Sequence, residues 1–175
     1  MHRGAVLGFP DAQGVPQCRL VLERGRGEHC AAWLMCNPST ADAETDDPTN
    51  KRVVHFSARS GYARSLVGNM WAYRTPYPRA LWEALAAGRY TPAMANANLD
   101  ALAMIGAQAA IHVVAVGTAG RSHPQHLAAC LEAFSGGKPL YALGTTADGW
   151  PLHPLARGHH HIPSDTNLRP WQFPR

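Results

Sequence analysis

Four short apolar runs, each set between helical patterns, constrain this chain most. They read CAAWLMC at Cys30–Cys36, LVGNM at Leu66–Met70, IHVVAVG at Ile111–Gly117 and PLYALG at Pro139–Gly144. Runs this brief, bounded by polar turns, suit strands buried on both faces. Asp46-Asp47-Pro48-Thr49 starts a helix, with Asp47 as N-cap and Pro48 at the first helical position. Gly61 stops that helix. Further helical patterns cover 79–87 and 92–109, and Ser122 caps another that runs to Phe134. Alternating strands and helices build βαβ units. The expected fold class is α/β: a three-layer α/β/α sandwich with a mostly parallel central sheet of about four core strands. Cys18–Glu23 supplies a further strand at an edge. Residues 1–16 read as an irregular lead-in, 17–155 as a single domain and 156–175 as a Pro-rich tail.

Composition narrows the function classes. Charged residues make up 16% of the chain, below the roughly 25% of typical domains, so neither charge-driven disorder nor a coiled coil fits. The net charge of +4 and the pI near 9.1 permit a phosphate-bearing partner without requiring one. No apolar run approaches the ~18 residues of a membrane span, and the first residues lack a leader's apolar stretch. A reducing, cytoplasmic setting is therefore expected. Cys18, Cys30, Cys36 and Cys130 form no CxxC pair. They read as buried thiols, with no metal and no cofactor. His159-His160-His161 reads as a solvated run, because three consecutive side chains do not face one way in any regular element.

Ligands of open parallel sheets bind beyond the carboxyl ends of the strands. The first core strand ends at Asn37-Pro38-Ser39-Thr40, the second at Asn69, the third at Gly117-Thr118, and the fourth runs into Pro151-Leu152-His153-Pro154. Pro38 holds Asn37 extended, so its amide is fixed to orient water, to read a polar ligand, or to bind its own backbone. Ser39 and Thr40 offer hydroxyls to an anion or a cap. Of the two carboxylates, Asp47 is explained by capping, which leaves Asp46 as the catalytic candidate. His153, held between prolines, suits general-acid or electrophile work, with a structural hydrogen bond as the other reading.

These segments carry two resemblances. NPSTADAETDDPT at 37–49, GY…VGNMWAYRTPYP at 61–78 and LGTTADGWPLHPL at 143–155 resemble the bacterial and phage domain-of-unknown-function family 1643, over about 18–155. Leu152 stands where that family commonly has Arg. The motif order is also similar, remotely, to the uracil-DNA glycosylase superfamily. Met35-Cys36-Asn37-Pro38-Ser39 resembles its mismatch-specific G-I-N-P-G motif. Leu66-Val67-Gly68-Asn69 resembles its strand ending in a base-reading Asn, and His153-Pro154-Leu155 a shortened His-Pro loop.

The second resemblance implies a uracil-DNA-glycosylase-like fold and hydrolysis of an N-glycosidic bond of a nucleobase, in DNA or in a nucleotide. Asn37 would orient the water, and His153 would donate to the base as charge develops. Asn69 would read the base edge, Trp71 or Tyr73 would stack on it, and Arg52 and Arg74 would hold phosphate. Two other readings stand beside it. One is a non-catalytic module that binds a nucleotide or nucleic acid in the same cleft. The other is a different reaction that pairs Asp46 with His153.

Overall fold

A computed structural model describes residues 2–174; the first residue of the expected lead-in and the last of the expected tail lie outside it. Along the described chain run β1 (Arg3–Pro10), β2 (Pro16–Gly25), β3 (Cys30–Met35), α1 (Pro48–Arg59), β4 (Arg64–Asn69), α2 (Pro78–Ala86) and α3 (Pro92–Gln108). Then come β5 (Ala109–Val114), the single turn α4 (Ala119–Ser122), α5 (Pro124–Ser135), β6 (Leu140–Ala142), a 3-10 turn (Gly158–His160) and β7 (Arg169–Trp171).

All seven strands join one sheet in the order β1-β2-β4-β3-β5-β6-β7. β3 runs parallel to β4 and β5, and β5 parallel to β6. The pairings β1–β2, β2–β4 and β6–β7 are antiparallel. The fold is α/β with a mixed sheet, larger than the expected sheet of about four mostly parallel strands.

Three expectations are corrected here. The segment 1–16 carries β1, which forms a hairpin with β2. Asp11 turns that hairpin by accepting from the amides of Gln13 and Val15, with Gly14 at φ +80°. β2 is consequently interior. The Pro-rich tail carries β7, where Pro170 is tolerated because β7 is an edge strand.

β3 explains the layering. Cys30, Ala32 and Leu34 point to one face, among side chains of α2, α3 and α5. Ala31, Trp33 and Met35 point to the other, where Val53 and Phe56 of α1 pack together with Ile162. The buried Trp33 indole donates to Ser57 Oγ on α1 at 2.9 Å. α1 starts as its sequence requires: Asp47 accepts from the Asn50 amide at 2.7 Å, with Pro48 in the first turn. Ser122 does not cap a long helix. It ends α4, and α5 begins after His123 at Pro124.

Candidate functional site

β3 and β4 remain zipped beyond their ends, and that zipper builds the site. The amides of Met70 and Trp71 donate to the carbonyls of Met35 and Cys36 at 2.8 and 3.1 Å, and Thr75 N donates to the Pro38 carbonyl at 2.9 Å. Asn37 Nδ2 closes the turn, donating to the carbonyls of Thr75 at 2.8 Å and Pro38 at 3.1 Å. The Asn37 amide nitrogen is thus spent on backbone, which fixes the side chain and leaves its oxygen as the group free to meet a ligand.

A cavity of about 440 Å³ opens between this edge and α1. Its apolar floor comes from Leu22, Met35, Val53 and Val67. Its polar lining comes from Arg19 on β2, Asn37 and Ser39 after β3, Asp47, Thr49 and Asn50 at the start of α1, and Asn69 at the end of β4. His153 and Arg157 reach it from the long loop after β6.

Asn69 is 1% exposed, and neither its amide oxygen nor its amide nitrogen has a hydrogen-bond partner. Its backbone is held firmly: Asn98 on α3 donates to the carbonyls of Asn69 and Met70 at 2.9 and 3.1 Å, and His126 Nε2 lies 2.8 Å from the Met70 carbonyl. Asn50 Oδ1 is likewise buried without a partner. Buried amides of this kind are normally satisfied, so Asn69 and Asn50 give the cavity lining polar groups whose hydrogen-bonding capacity is not used within the protein.

His153 is fixed by its own loop. The Leu155 amide donates to His153 Nδ1 at 3.1 Å, and Ala156 N donates to the His153 carbonyl at 2.8 Å. A ring nitrogen that accepts carries no proton, so the neutral ring has its N–H at Nε2. Burial holds the imidazole below its ordinary value of 6.5, with the Asp47 charge opposing. His153 is therefore a neutral donor near neutral pH. Gly117 stands behind it at φ +64°, where an added Cβ would meet His153 Cβ at 3.4 Å.

The family described as "Protein of unknown function (DUF1643)" matches residues 19–155. The chain belongs to that family. No curated protein and no solved structure matches it. The matched span of this DUF1643 chain includes every cavity-lining residue but Arg157. The strands β1 and β7, at the two edges of the sheet, lie outside it.

Across the sheet edge lies a second lobe of about 620 Å³. It shares Cys36, Asn37, Pro78 and His153 with the first and adds Trp82, Gly117, Thr118 and His123. Trp82 stacks on His123 with ring centroids 4.9 Å apart. Burial pushes the Cys36 thiol up to about 12, so it lines both lobes as a protonated, unreactive group.

Several residues expected at the site lie elsewhere. Asp46 is paired with Arg24 at 2.7 Å and Arg3 at 3.1 Å and accepts from Asn50 Nδ2, outside the cavity lining. Partial burial disfavours its charge, but the hydrogen bonds from Arg24 and Asn50 outweigh this and hold its pKa below the ordinary value. Asp47, set aside as a mere cap, is the carboxylate that lines the cavity. Arg52 lies over the Phe56 ring and donates to Ser164 Oγ at 2.8 Å and to the Ile162 carbonyl, stapling the tail to α1. Trp71 is buried in the core, stacked on His126 and edge-on to Trp82 and His123. Tyr73 packs against the core and bridges Cys18. Arg74 and Thr40 line neither lobe, and the Arg74 Nε is buried without a partner. Sequence reasoning missed Arg19, Asn50, Trp82 and His123. For His123, its place just before the prolyl start of α5 was the available signal; Trp82, in the middle of α2, carried none.

Proposed function

We propose that this chain is a glycosylase-like hydrolase that cleaves the N-glycosidic bond of a nucleobase, in DNA or in a nucleotide, on a uracil-DNA-glycosylase-like arrangement. The observation that carries the reading is the Asn69 amide, buried at the cavity with donor and acceptor both open, beside Asn37 and His153. An amide presenting one donor and one acceptor side by side matches the paired acceptor and donor of a base edge. His153 Nε2–H would stabilise charge on the departing base, and the Asn37 oxygen would hold the attacking water. Asp47 is the carboxylate in the lining of this cavity, although it also caps α1.

The test is release of free base, followed by chromatography, from single-stranded, duplex and mononucleotide substrates. Release is expected from one class, and His153→Ala should slow it by about 10²–10³-fold, the usual effect of losing a charge-stabilising donor. Since burial lowers the His153 pKa, the rate should hold as pH falls through 6.5 and decline only in more acid solution, where the ring charges. Tight binding without release replaces this reading with a nucleotide-binding module. What favours that second reading is that Asp46, the carboxylate picked from sequence, is locked in ion pairs.

A further inference from the structure

β2 carries two buried arginines, and one of them lacks an ionic partner. Arg24 is 1% exposed and donates to the Asp46 carboxylate at 2.7 Å and to the carbonyls of Glu23 and Thr45 at 2.8 and 3.2 Å. Arg19 is 4% exposed and donates from Nη1 to the Ala41 carbonyl at 2.6 Å. Its Nε is buried with no partner, and among the described residues no carboxylate forms an ion pair with it. Burial pulls its guanidinium down to about 10, with the Asp47 charge opposing and the neighbouring Arg74 and Arg24 adding to the fall, which still leaves it charged at neutral pH. Asp47, in the same cavity, offsets part of this charge at a distance, but no carboxylate of the described residues reaches the guanidinium directly, and buried charges are normally in direct contact with a counter-ion or a ligand.

The local fold aims this charge at the cavity. Val6 pairs with Val21 and Leu7 with Arg19, so Leu20 is the extra residue of a β-bulge. Leu22 faces α1, and strict alternation would send residue 20 the same way and residue 19 to the opposite face. The bulge reverses this: Leu20 packs on the far side, and Arg19 lines the cavity with Leu22. The charged lining is then Arg19 and Arg157 against Asp47, an excess of one positive charge.

We propose that Arg19 is the anion-binding residue of the first lobe and that its missing partner is the phosphate of a small ligand, in the class of nucleoside monophosphates. The base half of that ligand rests on the Asn69 reading above. A guanidinium offers a planar fork that fits phosphate oxygens. Its burial favours a small ligand that enters whole, because the phosphates of a nucleic acid would remain at the mouth.

Calorimetric titration and thermal denaturation of the full chain test this, with inorganic phosphate, nucleoside monophosphates, the matching nucleosides and a single-stranded oligonucleotide as probes. At least one monophosphate should bind roughly tenfold or more tightly than its nucleoside, and phosphate alone should raise the melting temperature. Arg19→Gln should abolish both effects, while Arg79→Gln, an exposed charge on α2, should keep them. Unliganded Arg19→Met should melt no lower than wild type, whereas Arg24→Met should melt lower. Equal wild-type affinity for nucleosides and monophosphates overturns the proposal, even where the variants fail to fold. So does a phosphate preference that survives Arg19→Gln, or an oligonucleotide that outbinds every monophosphate. Phosphate stabilisation lost in Arg19→Gln, with no nucleoside bound, supports the anion site and removes the nucleobase reading.

Discussion

At the scale of single residues, neighbouring side chains of one type have divided the work. Asp46 and Asp47 are adjacent, yet one neutralises Arg24 and the other caps α1 at the cavity. Asp46→Asn would leave the fully buried Arg24 without its counter-charge, and urea unfolding should record a loss of about 3–5 kcal/mol, since removing one partner strands the other. The effect has a pH signature. The Asp46 pKa is lowered in the fold, so its contribution is complete above the ordinary carboxyl value of 3.8 and is lost as pH falls through the lower folded value. Unfolding followed from pH 6 to pH 2 should show that acid slope in wild type and a smaller one in Asp46→Asn. Sequence could place both carboxylates at the helix start. It could not say which faced inward, because that depends on the extended backbone of the cap (φ −91°, ψ 167° at Asp47) and on an arginine 22 residues away.

At the scale of elements, what was legible followed from local pattern. That Asn37, Asn69 and His153 share one cavity lining was legible because each follows a short apolar run, and strand ends gather at one edge. Arg19 was hidden because its orientation depends on a bulge formed against β1, a strand that glycine and proline had disguised. Helix packing carries a sharper constraint. Gly106 on α3 lies against α5, where an added Cβ would sit 1.8 Å from the Phe134 carbonyl oxygen. Backbone cannot yield as a side-chain tip can, so Gly106→Ala must push the two helices apart. A loss of about 1–3 kcal/mol is expected from overpacking, measurable as a lower urea midpoint with an unchanged slope. The same variant should weaken Asn98 as the clamp on the Asn69 carbonyl, since Asn98 rides on α3.

At the scale of the whole molecule, the sheet has a core that carries the site and edges that close it. β1 and β7 were not legible because an edge strand needs one ladder and tolerates residues that a central strand rejects. β7 does more than cover β6. Trp171 is buried against the core, and its indole donates to the Gly149 carbonyl at 2.8 Å, in the loop that leads to His153. Further back, Ile162 fills the α1 face, and Arg52 and His55 hold Ser164. The tail thus wraps from α1 to the far edge and braces the His153 loop from behind, without lining either lobe beyond Arg157. Trp171→Ala should therefore cost about 3–5 kcal/mol, typical of a buried aromatic, and the loss should concentrate in β6 and residues 145–155. Amide hydrogen exchange resolves the two cases: faster exchange confined to that loop and edge fits a brace, whereas uniform acceleration across β3 and β4 would make Trp171 an ordinary core residue. Because the loop sets the tautomer of His153 through the Leu155 amide, the brace reading also expects Trp171→Ala to slow turnover more than it weakens binding.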